Sequence, residues 1–311
     1  MPDIVVSEFM DAAALKGFPE AWRLLYDPGL VDDRERLFAE LAGARAIIVR
    51  NRTRVDADLL AAAPKLLAVG RLGVGLDNID LDACEARGVA VLPATGANTL
   101  SVAEYVISAA LQLTRGAYSS NAAMIAGEWP RSELIGGELS GRTMGLVGFG
   151  HIARAVAERA RSLGMDIAAF DPFVADDDPV WDGVEQLSSL DQLLERCDVV
   201  SLHVPLTPRT KNLIAVPELA RMKAGAILIN TARGGVVDEA ALADSLKAGK
   251  LGGAALDVFE TEPLTAEAGE KFNPCRNIIL TPHIAGVTAE ANVRVSYLTV
   301  ENVRRVLENL P

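Results

Sequence analysis

Short apolar runs and stretches with a helical period alternate along most of this chain. Residues 3–9, 44–50, 66–70 and 89–93 read as strands, each a brief run rich in Val, Ile, Leu or Ala. Between them, 32–43, 56–64 and 80–88 read as helices, ended by Gly43, Pro64 and Gly88. A longer helix is predicted over 99–116, where Val102, Val106, Ala110 and Leu113 fall on one buried stripe. The alternation then resumes with strands at 143–149, 166–171, 198–204, 226–230, 253–259 and 277–281. Helices such as 151–164 and 238–249 lie between them, and a last helix spans 288–310. Strands alternating with helices predict an α/β fold of two doubly wound parallel-sheet units, the second larger than the first. No repeat, low-complexity tract or flexible linker interrupts the pattern.

The most informative stretch is 145–172. Gly148-x-Gly150-x-x-Ala153 follows a strand and opens a helix. The first glycine permits a tight turn, the second lets backbone approach a pyrophosphate, and the alanine allows close helix–strand packing. The helix N-terminus then offers N–H groups and a positive dipole end. A glycine pattern alone is weak, but here Asp171 ends the next strand, 21 residues beyond Gly150. A carboxylate there accepts from ribose hydroxyls and repels a 2′-phosphate, which predicts NAD rather than NADP. His151, inside the turn, is expected at the surface, contributing its backbone.

Composition narrows the alternatives. With 311 residues, half of them hydrophobic, the chain can bury two cores. No stretch approaches the apolar length of a membrane span, and residues 1–15 lack the basic start of a secretion signal. A net charge of −12 disfavours nucleic acid as a partner while leaving room for a small anion held by local arginines. Cys84, Cys197 and Cys275 are odd in number and far apart, so neither a disulfide framework nor a metal spacing is predicted. A reducing cytoplasm is the expected location.

The candidate chemistry sits after three consecutive strands. Arg233, Glu262 and His283 follow the strands at 226–230, 253–259 and 277–281, so one sheet rim is predicted to carry all three. Oxidation of a 2-hydroxy acid needs these residue types. An imidazole takes the hydroxyl proton, a carboxylate orients the ring, and a guanidinium grips the substrate carboxylate.

Several segments together resemble the D-isomer-specific 2-hydroxyacid dehydrogenase family: GRLGVGLDNID (70–80), VAEYVISAAL (102–111), the 145–172 stretch, SLHVPLTPRTKNLI (201–214), INTARGGVVDEAAL (229–242), ALDVFETEPL (255–264) and LTPHIAG (280–286). The resemblance implies catalytic roles for Arg233, Glu262 and His283, with His283 as acid/base. It implies an NAD site made by Gly148, Gly150, His151, Ile152, Asp171, Thr231, Ala232, Arg233, Asp257, His283 and Gly286, with Asp257 holding the nicotinamide carboxamide. A Rossmann cofactor domain, 99–285, would be inserted into a smaller flavodoxin-like substrate domain, 1–98 with 286–311. A homodimer through the 99–116 region is implied as well.

Substrate binding would fall to Val74 and Gly75 N–H groups, Arg233, and the basic segment Arg50, Arg52, Arg54, with Arg52 the leading candidate and Arg50 next. Arginines in matching places resemble the phosphoglycerate and sulfolactate dehydrogenases. The expected substrate is therefore a D-configured 2-hydroxy acid with a distal anionic group, oxidised reversibly to the 2-oxo acid. Alternatives are a glyoxylate or hydroxypyruvate reductase of the same family, or an NAD-sensing, corepressor-like interaction protein.

Overall fold

The alternation of strand and helix resolves, in a computed structural model describing residues 1–309, into two parallel sheets. Residues 1–98 with the segment from Val287 onward form one unit, and residues 99–286 the other.

In the first unit the strands are β1 (Ile4–Val6), β2 (Leu24–Tyr26), β3 (Ala46–Val49), β4 (Ala68–Arg71) and β5 (Ala90–Pro93), in the order β2-β1-β3-β4-β5, all parallel. Helices α1 (Arg34–Leu41), α2 (Ala57–Ala62) and α3 (Leu81–Ala86) are each opened by an aspartate, Asp33, Asp56 and Asp80. Their carboxylates accept from the N–H groups of Arg36, Leu59 and Ala83, worth about 1 kcal/mol per cap. The period of two along the strands divides the core. Val5, Ile47, Val49 and Val69 pack with Leu37, Leu41, Leu59 and Leu60. Ile4, Val6, Ala46, Ile48 and Ala68 face the other way, onto Val295, Val300, Val303 and Leu307 of the C-terminal helix, Ala289–Asn309. Each fully buried Val, Leu or Ile contributes roughly 1.5–3 kcal/mol.

Two features depart from the sequence pattern. β2 is a three-residue edge strand too short to show alternation, set in place by Arg23, whose N–H and Nε donate to Asp3. The strand expected over 3–9 ends at Val6, because Ser7 and Glu8 turn their polar side chains inward and are buried.

The second unit has seven parallel strands: β6 (Thr143–Val147), β7 (Asp166–Phe170), β8 (Glu185–Gln186), β9 (Val199–Leu202), β10 (Ile227–Asn230), β11 (Gly253–Leu256) and β12 (Ile278–Leu280). Their order is β12-β11-β10-β9-β6-β7-β8. Helices α4 (Thr99–Arg115) and α6 (His151–Ser162) share one core with Met144, Leu146, Ile167, Val199, Ile227 and Ile229. A short helix, α5 (Asn121–Ile125), lies between them in sequence. On the other face α7 (Leu190–Arg196), α8 (Val216–Arg221) and α9 (Glu239–Lys247) pack on Val147, Val200, Leu202, Leu228, Ala254 and Leu256. The strand order reverses between β6 and β9. Ligands of such sheets bind beyond the strand C-termini at that switch point.

Candidate active site

The turn after β6 lies at this switch. Gly148 has φ +84°, and a Cβ there would stand 2.6 Å from the His203 carbonyl oxygen, so only glycine fits. Its N–H donates to the Phe170 carbonyl at 2.8 Å, tying the turn to β7. Gly150 is the N-cap of α6 and supplies no side-chain cap, and a Cβ at Gly150 would meet nothing within 4 Å. Free helix N–H groups facing open space suit a pyrophosphate. Ala153, Val156, Ala157 and Ala160, mostly small, bury the opposite side of α6. His151 is exposed at the first position of the helix, followed by half-buried Ile152. Asp171 stands directly after β7 and accepts from Phe149 N–H (2.8 Å) and Phe173 N–H (2.9 Å), which holds its carboxylate beside the turn.

β10 ends at Asn230, and this buried amide shapes the turn that carries Arg233. Its Oδ1 accepts from Ala232 N–H and its Nδ2 donates to the Arg233 carbonyl, both at 3.0 Å. Arg233, half-buried, donates from Nη1 to the Ala232 carbonyl at 2.6 Å. A Cβ on Gly234 would lie 1.8 Å from the Phe259 carbonyl oxygen, so its absence lets the Arg233 loop cross against the loop after β11. That second loop carries Glu262, whose Oε1 accepts from Phe259 N–H at 3.0 Å.

Asp257 directly follows β11 and is buried. Its carboxylate accepts from Thr281 Oγ1 (2.6 Å), Ile284 N–H (2.8 Å) and Ala285 N–H (2.9 Å), and its carbonyl accepts from His283 N–H (2.8 Å). Asp257 thus clamps the segment that carries His283 and runs on to Gly286. His283 has φ +52°, a left-handed conformation that costs a β-carbon-bearing residue of order 1 kcal/mol or more and persists because Asp257 over-determines it. From there Nδ1 reaches Glu262 Oε2 at 2.8 Å, with half of the side chain exposed. His283 and Glu262 are therefore in direct contact, while Arg233 is held one strand away by its own turn.

Two polar atoms beside these loops are buried without a hydrogen-bond partner: Thr231 Oγ1 and His203 Nε2. Burial pushes the His203 pKa down to about 4, so its ring is neutral near pH 7. Together with the open Gly150 cradle, these atoms fit the polar groups of a dinucleotide. Nothing in the sequence singled out Asn230 or His203; the signal for each was a lone polar residue at the end of an apolar strand. Cys197, by contrast, is buried and its thiol is pushed up to about 12, chiefly by burial, which leaves it inert.

In the first unit, Val74 and Gly75 follow β4 in a loop, and among the described residues their N–H groups enter no backbone hydrogen bond. Arg71, at the end of β4, lies beneath this loop and donates to the Leu72 carbonyl at 2.6 Å. The basic segment after β3 divides. Arg50 is half-buried, donating from Nη2 to Asn292 Oδ1 at 2.8 Å and from Nη1 to the Phe9 carbonyl at 3.4 Å. Arg52 points outward into an exposed ion pair with Asp32, and Arg54 is exposed. The sequence places Arg52 ahead of Arg50; the geometry differs between them, one guanidinium paired at the surface and the other half-buried on neutral partners.

A doubly wound sheet with a glycine turn, a terminal aspartate and a His–Glu pair on adjacent strand ends defines a nicotinamide-dependent dehydrogenase. Residues 107–285 match the model of the D-isomer specific 2-hydroxyacid dehydrogenase, NAD binding domain. Over 307 residues, 99% of each chain, the sequence is 58% identical to the (S)-sulfolactate dehydrogenase of Chromohalobacter salexigens. It is 41% identical over 281 residues to the D-3-phosphoglycerate dehydrogenase of Archaeoglobus fulgidus, covering 89% of this chain and 52% of that longer one. The D-lactate dehydrogenase of Aquifex aeolicus, solved with NAD and lactic acid, superposes with a TM-score of 0.83 at 30% identity, covering 98% of this chain and 95% of that one. The chain belongs to the D-isomer-specific 2-hydroxyacid dehydrogenase family. It is an NAD-dependent oxidoreductase acting on the CH–OH group of a 2-hydroxy acid. Among the described residues no helix is long and apolar enough to cross a membrane.

Proposed function

We propose that this enzyme reversibly oxidises a D-configured 2-hydroxy acid bearing a distal anionic group, of the 3-sulfolactate or 3-phosphoglycerate type. The observation that carries the substrate class is the 58% identity, across 99% of both chains, to a sulfolactate dehydrogenase. The half-buried Arg50 supports it, since a lactate-like substrate has no second charge for such a guanidinium to meet. A sulfonate changes the stereochemical label but not the geometry: sulfur outranks the carboxylate in priority, so the D arrangement is named S.

In this reading His283 is the acid/base. Glu262 accepts from Nδ1–H, which fixes the tautomer and leaves Nε2 to take the substrate hydroxyl proton. The carboxylate then stabilises the imidazolium that forms. Arg233 pairs with the substrate carboxylate, as do the Val74 and Gly75 N–H groups. NAD, when bound, supplies the hydride acceptor, with its pyrophosphate at Gly148, Gly150, His151 and Ile152. Its adenosine ribose would lie at Asp171, and its nicotinamide end at Thr231, Ala232, Asp257 and Gly286. Arg50, ahead of Arg52, reads the distal anion.

The deciding experiment is Arg50→Ala assayed on charged and uncharged acids. Loss of a charge-assisted contact should cost about ten- to a hundredfold in kcat/KM for sulfolactate or phosphoglycerate. Glycerate and lactate should be nearly unaffected. Equal losses on all four acids would remove the distal-anion reading. A homodimer is proposed as well, through the region of α4 and the segment after it, where Leu111, Tyr118, Ile125, Trp129 and Ile135 are exposed. Three free cysteines suit a reducing cytoplasm.

A further inference from the structure

We propose that Glu8 is a positioning residue for recognition of the distal anion, acting through the loop that carries Arg50; the proposal rests on the substrate reading above. Glu8 follows β1 and is only 5% exposed, unusual for a carboxylate with no ion pair in hydrogen-bond contact among the described residues. Its partners are instead four consecutive backbone N–H groups. Oε1 accepts from Arg50 (2.8 Å) and Thr53 (2.9 Å), and Oε2 from Arg52 (3.1 Å) and Asn51 (3.3 Å). The neighbouring residue joins the same loop, with Ser7 Oγ and Thr53 Oγ1 2.9 Å apart. One buried carboxylate thus organises the whole turn after β3.

The consequence for Arg50 is specific. Its N–H is pinned to Glu8, and its side chain continues past the Phe9 carbonyl to Asn292 on the C-terminal helix. Among the described residues the partners fixing the guanidinium are neutral, so its charge is not cancelled there at hydrogen-bond range. Glu8, the nearby anion, spends its oxygens on the backbone. The loop is therefore rigid where Arg50 departs, and a rigid cation loses less of its binding energy to ordering. A glutamine at position 8 would keep one acceptor oxygen and turn an NH2 group towards two N–H donors, loosening the turn while leaving Arg50 in the chain.

Glu8→Gln, Glu8→Asp, Arg50→Ala and the Glu8→Gln/Arg50→Ala double variant, assayed beside wild type on 3-sulfolactate, 3-phosphoglycerate and glycerate, test this. Glu8→Gln should raise KM for sulfolactate by about tenfold with kcat within roughly threefold, and leave the KM for NAD and the rates with glycerate little changed. The double variant should be no worse on sulfolactate than Arg50→Ala alone, because Glu8 acts through Arg50. If Glu8→Gln does not fold, Glu8→Asp, which keeps the charge but shortens the reach, should show the same selective rise in smaller measure. A selective Arg50→Ala loss with Glu8 variants that change both substrates equally, or neither, would overturn the role of Glu8 and leave the substrate reading standing. A wild type that prefers neither 3-sulfolactate nor 3-phosphoglycerate to glycerate, with Arg50→Ala neutral, would overturn both.

Discussion

His283, the proposed acid/base, sits in a backbone conformation that a β-carbon disfavours, and Asp257 keeps it there through its carbonyl and carboxylate. Replacing the imidazole leaves that clamp intact. His283→Ala should therefore lose about 10²–10⁴-fold in kcat, while NAD titration by fluorescence still shows binding. On the proposed mechanism Glu262→Gln removes the carboxylate that orients the His283 ring, and should lower kcat while NAD still binds. An unchanged kcat would take Glu262 out of the mechanism. At the proposed other end of the cofactor site, Asp171→Ala should raise the KM for NAD by about tenfold and narrow the preference over NADP, since the carboxylate proposed to meet the ribose hydroxyls is gone. Wild-type enzyme using NADP as readily as NAD would refute that assignment.

At the scale of elements, strand–helix alternation made both sheets legible, and the residues at the ends of β10, β11 and β12 could be named from the sequence alone. Long apolar runs and glycine turns leave strong local signals. The hidden parts depend on contacts distant in sequence. β2 and β8 are too short for a period, and the inward turn of Ser7 and Glu8 is decided by a loop more than forty residues on. The contacts of the basic segment are hidden for the same reason: position in a segment does not reveal that Asp32 takes one arginine and Asn292 the other. The Glu8 turn also predicts a pH dependence. Burial, the largest influence, raises the Glu8 pKa, but the N–H groups of Thr53, Arg50 and Arg52 outweigh it and hold it below the ordinary 4.5. Its contribution is then complete above pH 4.5 and lost as pH falls through the lower folded value. The Tm gap between wild type and Glu8→Gln should be widest near neutrality and shrink below pH 4.5. A gap that stays constant into acid would contradict it.

For the whole molecule, the chain matches the sulfolactate dehydrogenase end to end, and covers about half the length of the phosphoglycerate dehydrogenase it resembles. Apolar side chains after α4 are exposed, Ile125 at 88% and Ile135 at 82%, and on the proposed homodimer a second copy of the chain would bury them. Light scattering should give a dimer, and Ile125→Asp with Ile135→Asp should shift it towards monomer without altering the NAD turn. On the proposed reading, a family dehydrogenase has been fitted to an acid with a second, distal charge. Initial rates of NADH formation by the wild-type enzyme with 3-sulfolactate, 3-phosphoglycerate, malate and glycerate, measured side by side, test it most directly. For one of the two acids with a distal sulfonate or phosphate, kcat/KM should stand at least about tenfold above that for glycerate, the value of one charge-assisted contact. Glycerate turned over as efficiently as both would contradict it.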